Sequence, residues 1–218
     1  MSVASKVALG LGGAGAVGTG SYFAASSLSK ENAPQPKTKL SKKLVDGGFD
    51  LLSFKLGGTD NSTEWSAVLA KYKDSGNKDL LEGVNISNVD TDDTNALKSA
   101  CSSLMDLEDV SDEIYNKARR WCVVPKKVSE ILGKLSKTIL QNTSTDRSND
   151  PLWTQKVKDY NNTTLPLPSI DWSKSSETEK IQELQKGCKT LLEKETKTHD
   201  ATFASEYDTA IRWCVSPS

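Results

Sequence analysis

The chain has 218 residues, 28 Lys and Arg against 29 Asp and Glu, a formal net charge of -1 and a mean hydropathy of -0.50. Balanced, interspersed charge excludes the basic stripe expected of a nucleic-acid binder. Four cysteines and a single histidine leave little material for metal or nucleophile chemistry. The length suits one ordinary domain or two small ones, and an apolar content of 36% makes any core lean.

No charged residue occurs from Val7 to Ser29, and Lys6 and Lys30 bracket that stretch. A helix there would be about 33 Å long, against a bilayer hydrocarbon core of about 30 Å. Six glycines between Gly10 and Gly20 make the span weakly apolar. Gly10/Ala14/Gly18 and Gly12/Ala16/Gly20 give the small-residue spacing that lets membrane helices approach closely. Residues 1–29 are therefore expected to form a transmembrane anchor. A cleaved signal peptide is the competing reading, with Lys6 as its basic region and Ala24-Ala25-Ser26 as small residues for cleavage. Gly10-x-Gly12-x-x-Gly15 matches the dinucleotide-binding fingerprint in spacing alone. That motif needs a second strand after its helix, and here Pro34 and Pro36 follow instead, so no nucleotide cofactor is expected.

Lys30, Lys37, Lys39, Lys42 and Lys43 follow the apolar segment, and only Lys6 precedes it. The positive-inside rule on these lysines favours a cytoplasmic C-terminal domain, against the outside location argued below. Residues 30–43 read as a polar linker.

Beyond the linker the chain matches itself. Trp65 and Tyr72 are echoed by Trp153 and Tyr160, Leu97-Cys101-Leu104 by Leu184-Cys188-Leu191, and Tyr115 with Arg120-Trp121-Cys122-Val123 by Tyr207 with Arg212-Trp213-Cys214-Val215. Scarce residues recurring in order at nearly constant offset indicate a tandem duplication. The periodicity inside each copy is helical. Ile181, Leu184, Cys188, Leu191 and Leu192 form one stripe behind a capping box of Ser176 and Glu179. Phe203, Tyr207, Ile211 and Cys214 form another, with Asp200 as its expected N-cap. Asn61 is expected to cap a helix carrying Trp65 and Tyr72, Pro151 to open its counterpart, and Pro125 to start a linking helix running through Ile139. No sustained period-2 alternation favours strands. The expectation is a mostly α protein: segment 1–29, linker 30–43, helical unit 44–140 including the linking helix, and helical unit 141–218. Each unit holds about three helices.

Each copy carries one cysteine on its middle helix and one at the end of its last. Pairing within a copy, Cys101 with Cys122 and Cys188 with Cys214, follows if the domain is exported; four buried free thiols are the alternative. Arg120-Trp121 and Arg212-Trp213 close the two copies and read as a structural staple, the arginine stacking on a ring or serving a helix C-terminus. His199, among Lys197, Thr198 and Asp200, reads as solvated surface. Asp90-x-Asp92-x-Thr94 lacks the glycine and glutamate of a calcium loop. No catalytic, cofactor or metal residues are assigned. The divergent loops 76–94 and 161–176 are the expected place for a recognition surface.

Met1-Ser2 with Lys6, the glycine-rich segment Gly10 to Gly20, and the twice-used Arg-Trp-Cys motif resemble the paralogous, uncharacterised membrane-associated protein families of haemotropic mycoplasmas. The resemblance implies surface display and antigenic diversity, without established biochemistry or functional residues. The expected function is that of a single-pass, surface-displayed interaction or antigenic protein that is not an enzyme. Its partners would be the membrane, through the N-terminal segment, and a host or cell-surface protein. A cytoplasmic-facing membrane scaffold is the alternative, and a nucleotide-binding enzyme a weaker one.

Overall fold

A computed structural model describes residues 37–76, 79–85, 94–135, 137–140, 150–161 and 163–217. The apolar segment 7–29 and its glycine fingerprint lie outside them. Among the described residues there are eight helices and no strand longer than an isolated bridge: α1 (Leu40–Asp46), α2 (Ser62–Lys73), α3 (Asn95–Met105), α4 (Asp112–Trp121), α5 (Val128–Lys134), α6 (Asp150–Tyr160), α7 (Glu177–Leu192) and α8 (Phe203–Trp213). None of these helices is long and apolar enough to cross a membrane.

Local chemistry explains the helix starts. Ser176 accepts a hydrogen bond from the Glu179 amide on its hydroxyl while the Glu179 carboxylate accepts from the Ser176 amide, so the expected capping box is present. At α4, Ser111 accepts from the Ile114 amide and two acidic residues follow in the first turn, where they oppose the helix dipole. Asn61 precedes α2 as expected, but in a left-handed conformation (φ 56°), and its side chain accepts instead from the Ser53 amide.

Three expectations about boundaries are corrected. The N-cap of α8 is Thr202; Asp200 lies before it, its carboxylate accepting from the Lys197 amide and its carbonyl from the Phe203 amide. The linking helix starts at Val128, three residues after Pro125, and stops at Lys134. Thr138, Ile139 and Leu140 run on as extended chain beside Cys214 to Ser216. Helix α1 begins inside the stretch read as polar linker, and both Leu40 and Leu44 are fully buried.

The extended bridges come in matching sets. Leu51 faces Val123 and Ile139 faces Val215, each antiparallel. The Leu52 amide donates to the Cys122 carbonyl and the Val124 amide to Asp50; the Leu140 amide donates to Cys214 and the Ser216 amide to Thr138. A second set binds the start of each segment: Lys39 faces Glu108, and Lys127 faces Lys197. Helix α1 packs on α3 and α4, α5 packs on α8, and α6, α7 and α8 lie against one another in turn. One continuous core draws on described residues from Leu40 to Val215, so the segments that carry the two cysteine pairs belong to a single compact unit.

Gly187, in α7, marks the tightest approach. A Cβ there would stand 2.6 Å from Ile170 and 2.8 Å from the Leu167 Cβ, so the loop 165–172 lies directly on the helix. Alanine would gain about 1 kcal/mol of helix propensity but overpacks a site whose neighbours cannot swing away, costing about 1–3 kcal/mol. Gly187→Ala is expected to lower the chemical-denaturation midpoint; a raised midpoint would show that the loop can retreat.

Candidate functional site

The residues singled out by sequence sit in two similar staples. Cys101 of α3 and Cys122 just after α4 are at disulfide distance, with Cα atoms 5.5 Å apart. Cys188 of α7 and Cys214 after α8 stand likewise at 5.5 Å. All four are fully buried and none is free. Beside each lies a buried tryptophan. The Trp121 indole donates to the Asp79 carbonyl at 2.7 Å, and the Trp213 indole to the Leu165 carbonyl at 2.8 Å. Each indole meets a tyrosine edge-on, Tyr72 at 4.9 Å and Tyr160 at 4.8 Å. Each tyrosine hydroxyl in turn accepts from a loop amide, Leu81 and Leu167 respectively. Arg120 lies over the Trp121 ring at 4.3 Å and Arg212 over Trp213 at 5.2 Å, the stacking expected of both. Burial pushes both tyrosine hydroxyls above the ordinary phenol range.

These contacts tie the described parts of the two divergent loops to the core. Leu81, Val84 and Leu167 are buried rather than displayed. Residues 77, 78, 86–93 and 162 of those loops, including Asp90 and Asp92, lie outside the described residues.

A third cluster, where α4 meets the segment before α8, was not foreseen. Arg119 is only 5% exposed. Its guanidinium sits between the rings of Tyr115 (5.7 Å) and Tyr207 (5.5 Å) and forms a loose ion pair with Asp208 at 3.8 Å. Arg120 donates from Nε to the His199 carbonyl at 3.2 Å and forms a 2.7 Å ion pair with Asp79. Lys71 pairs with Asp200 at 2.9 Å. His199 is itself 5% exposed, so the solvated reading of the lone histidine is corrected. Its neighbours in sequence are polar, and its cover comes from a distant part of the chain. The imidazole Nδ1 and the Thr198 hydroxyl are buried without a protein partner among the described residues. A cavity of about 180 Å³ opens here, lined by Arg119, Arg120, Asp79, Thr198, Asp200 and Phe203 among others. One signal in the sequence pointed to it. Where residues 115–123 are set against 207–215, Ile211 stands opposite Arg119, a charge against an apolar residue where the flanking residues agree.

The electrostatics of the cluster follow from burial. Burial pushes Asp208 above the usual carboxylate range against the opposing pull of Arg119, and raises both Tyr115 and Tyr207. Burial draws His199 below the ordinary imidazole range. Asp200 opposes that shift, and Lys71, Lys197 and Arg120 reinforce it. Elsewhere, burial and then the charge of Arg212 bring Lys156, which donates to the Arg212 carbonyl, down to about 8. Among the described residues no group of three or more His, Cys, Asp or Glu is arranged to hold a metal ion.

No known protein family, curated protein or solved structure matches this chain. The functional reading therefore rests on the chain's own geometry.

His199 makes the pH dependence of stability predictable. Its folded pKa lies below the unfolded value of about 6.5, so below that pH the unfolded chain binds more protons and stability falls as pH falls. Asp208 acts in the opposite sense, since a raised carboxylate gains stability as it protonates. A His199→Gln variant keeps Asp208, so the difference between the two proteins isolates the histidine. Wild type is expected to lose stability relative to the variant as pH drops from 7 to 5 in denaturant titrations. A constant difference would refute the assignment.

Proposed function

We propose that this chain is a membrane-anchored, surface-displayed interaction or antigenic protein without catalytic activity, whose helical part is a tandem duplication stapled by one disulfide per copy. The observation that carries this reading is the placement of all four cysteines in two buried pairs at disulfide distance. Disulfides persist in oxidising compartments, and a reducing cytoplasm would keep such thiols free. The matched staples and bridges support the duplication. In this reading α1 and α5 correspond, and so do the extended segments 50–52 and 138–140. The first copy then runs from about Lys39 and the second from about Lys127, with four helices in each; the segment read as a linking helix belongs to the second copy.

The cytoplasmic alternative draws its support from the lysines after the apolar segment. Three of those five are engaged by the folded domain. Lys39 pairs with Asp106 at 2.7 Å, Lys42 with Asp46 at 2.8 Å, and Lys43 lies over the Tyr115 ring at 4.7 Å. They are domain residues as well as juxtamembrane charge, and the positive-inside rule counts them either way. The resemblance to the haemotropic mycoplasma families agrees with display at a surface.

The test is protease shaving of intact cells, followed by detection with an antibody against residues 177–213. Cleavage without lysis supports an exposed domain. Protection until the membrane is opened would move the domain to the cytoplasmic side and leave the scaffold reading.

A further inference from the structure

Between α7 and α8 the chain makes a turn, residues 197–202, that a short set of polar contacts holds to the rest of the domain. The Thr198 amide donates to the Lys126 carbonyl at 3.1 Å, Arg120 of α4 donates to the His199 carbonyl at 3.2 Å, and Lys71 of α2 pairs with Asp200 at 2.9 Å. The inside of the turn is poorly satisfied. Two adjacent residues, Thr198 and His199, each bury a side-chain polar atom that has no protein partner among the described residues. Water would satisfy both atoms, so they lower the cost of opening this segment by itself.

Charge on the imidazole would lower that cost further. Asp200 favours it, while Lys71 from α2, Lys197 from the turn itself and Arg120 from α4 oppose it. Arg120 is already answered by Asp79, and Asp200 by Lys71 and the Lys197 amide. An imidazolium formed here therefore meets no carboxylate that lacks a partner. Burial opposes the charge of Asp200, but the Lys197 amide and Lys71 hold it below the usual carboxylate range, so it stays ionised as pH falls from 7 to 5. Asp208, on α8, titrates in the opposite sense and faces Arg119. A histidine 5% exposed must reach water once it is charged. The turn is the smallest part of the chain whose movement supplies that water, because α7 remains packed on α8 without it.

We propose that the turn 197–202 is an acid-released latch: protonation of His199 lifts it from α2 and α4, breaks the Arg120 and Lys71 contacts, and leaves α7 and α8 packed together. The test is hydrogen exchange of the purified full-length protein at pH 7 and pH 5, with rates corrected for the intrinsic pH dependence of exchange and read on peptides spanning 194–203. The Thr198, Asp200 and Phe203 amides in that stretch all donate to carbonyls and report its opening. Their opening constant is expected to rise roughly 5- to 25-fold on acidification, the ceiling being that of an imidazole with pKa of about 6.5 when open that stays neutral when closed. Amides of α7 should change less than about twofold. His199→Gln and His199→Phe do not titrate, and in either variant the rise at 194–203 should vanish; two substitutions are used so that one misfolded variant leaves the other to read. Unchanged protection of 194–203 in wild type overturns the proposal. So does an equal loss across α7, which is global unfolding, or the same rise in a folded variant at 199.

Discussion

Replacing Cys188 and Cys214 together by alanine is expected to lower the unfolding free energy by about 3 kcal/mol, and replacing Cys101 and Cys122 by a similar amount. The two pairs close loops with sequence separations of 26 and 21 residues, and cross-linking loops of that length removes about 3 kcal/mol of chain entropy from the unfolded state. All four sulfurs are fully buried, so alanine also forfeits some packing. Together the pairs approach the whole stability of an ordinary domain, about 5–15 kcal/mol. Each double variant should unfold roughly 6–12 °C below wild type. Loss of both pairs, or full reduction, should leave little folded protein at physiological temperature. A melting point unmoved by reductant would mean that the core carries the fold without the staples.

The second large effect falls on the tryptophans beside the cysteines. Trp213→Ala is expected to cost about 3–5 kcal/mol, because it deletes a large, fully enclosed ring. It also leaves the Leu165 carbonyl without the indole donor at 2.8 Å and Tyr160 without its edge-on partner at 4.8 Å. Trp213→Phe keeps most of the apolar volume and isolates the lost hydrogen bond, at about 1–3 kcal/mol. Trp121 makes the corresponding contacts with Asp79 and Tyr72. Trp121→Ala and Trp121→Phe should therefore reproduce the two costs to within about 1 kcal/mol, the usual spread for one chemistry in two settings. Denaturant titration of the four variants reads this directly. A severe effect at one tryptophan and a slight one at the other would argue that the two staples are similar in shape but not in energetic role.

The staples were legible in the sequence because tryptophan and cysteine are rare and their spacing repeats. The capping box at Ser176 was legible because its chemistry is local. Helix α1 was hidden: Leu40 and Leu44 supply only one short apolar row, set among lysines that read as linker until Asp106 and Tyr115 are seen beside them. The end of α5 was hidden for a different reason. The apolar run continues past Gly133 through Leu135 and Ile139 without proline, and what extends the chain there is hydrogen bonding to Cys214 and Ser216, some 75 residues away in sequence. The polar cluster was the least legible part. A stripe analysis places apolar residues inside and charges outside, so Arg119 and His199 fall on the wrong side of it. Their burial depends on aromatic rings and carbonyls from opposite halves of the domain.

The central proposal is that the folded domain lives oxidised, with Cys101 paired to Cys122 and Cys188 to Cys214. Intact cells would be treated with a thiol-blocking reagent during lysis, and the protein digested without reduction and examined by mass spectrometry. The account predicts two linked peptide pairs, Cys101 with Cys122 and Cys188 with Cys214, and no blocked cysteine. Four blocked thiols in the native protein would contradict it and place the domain in a reducing compartment.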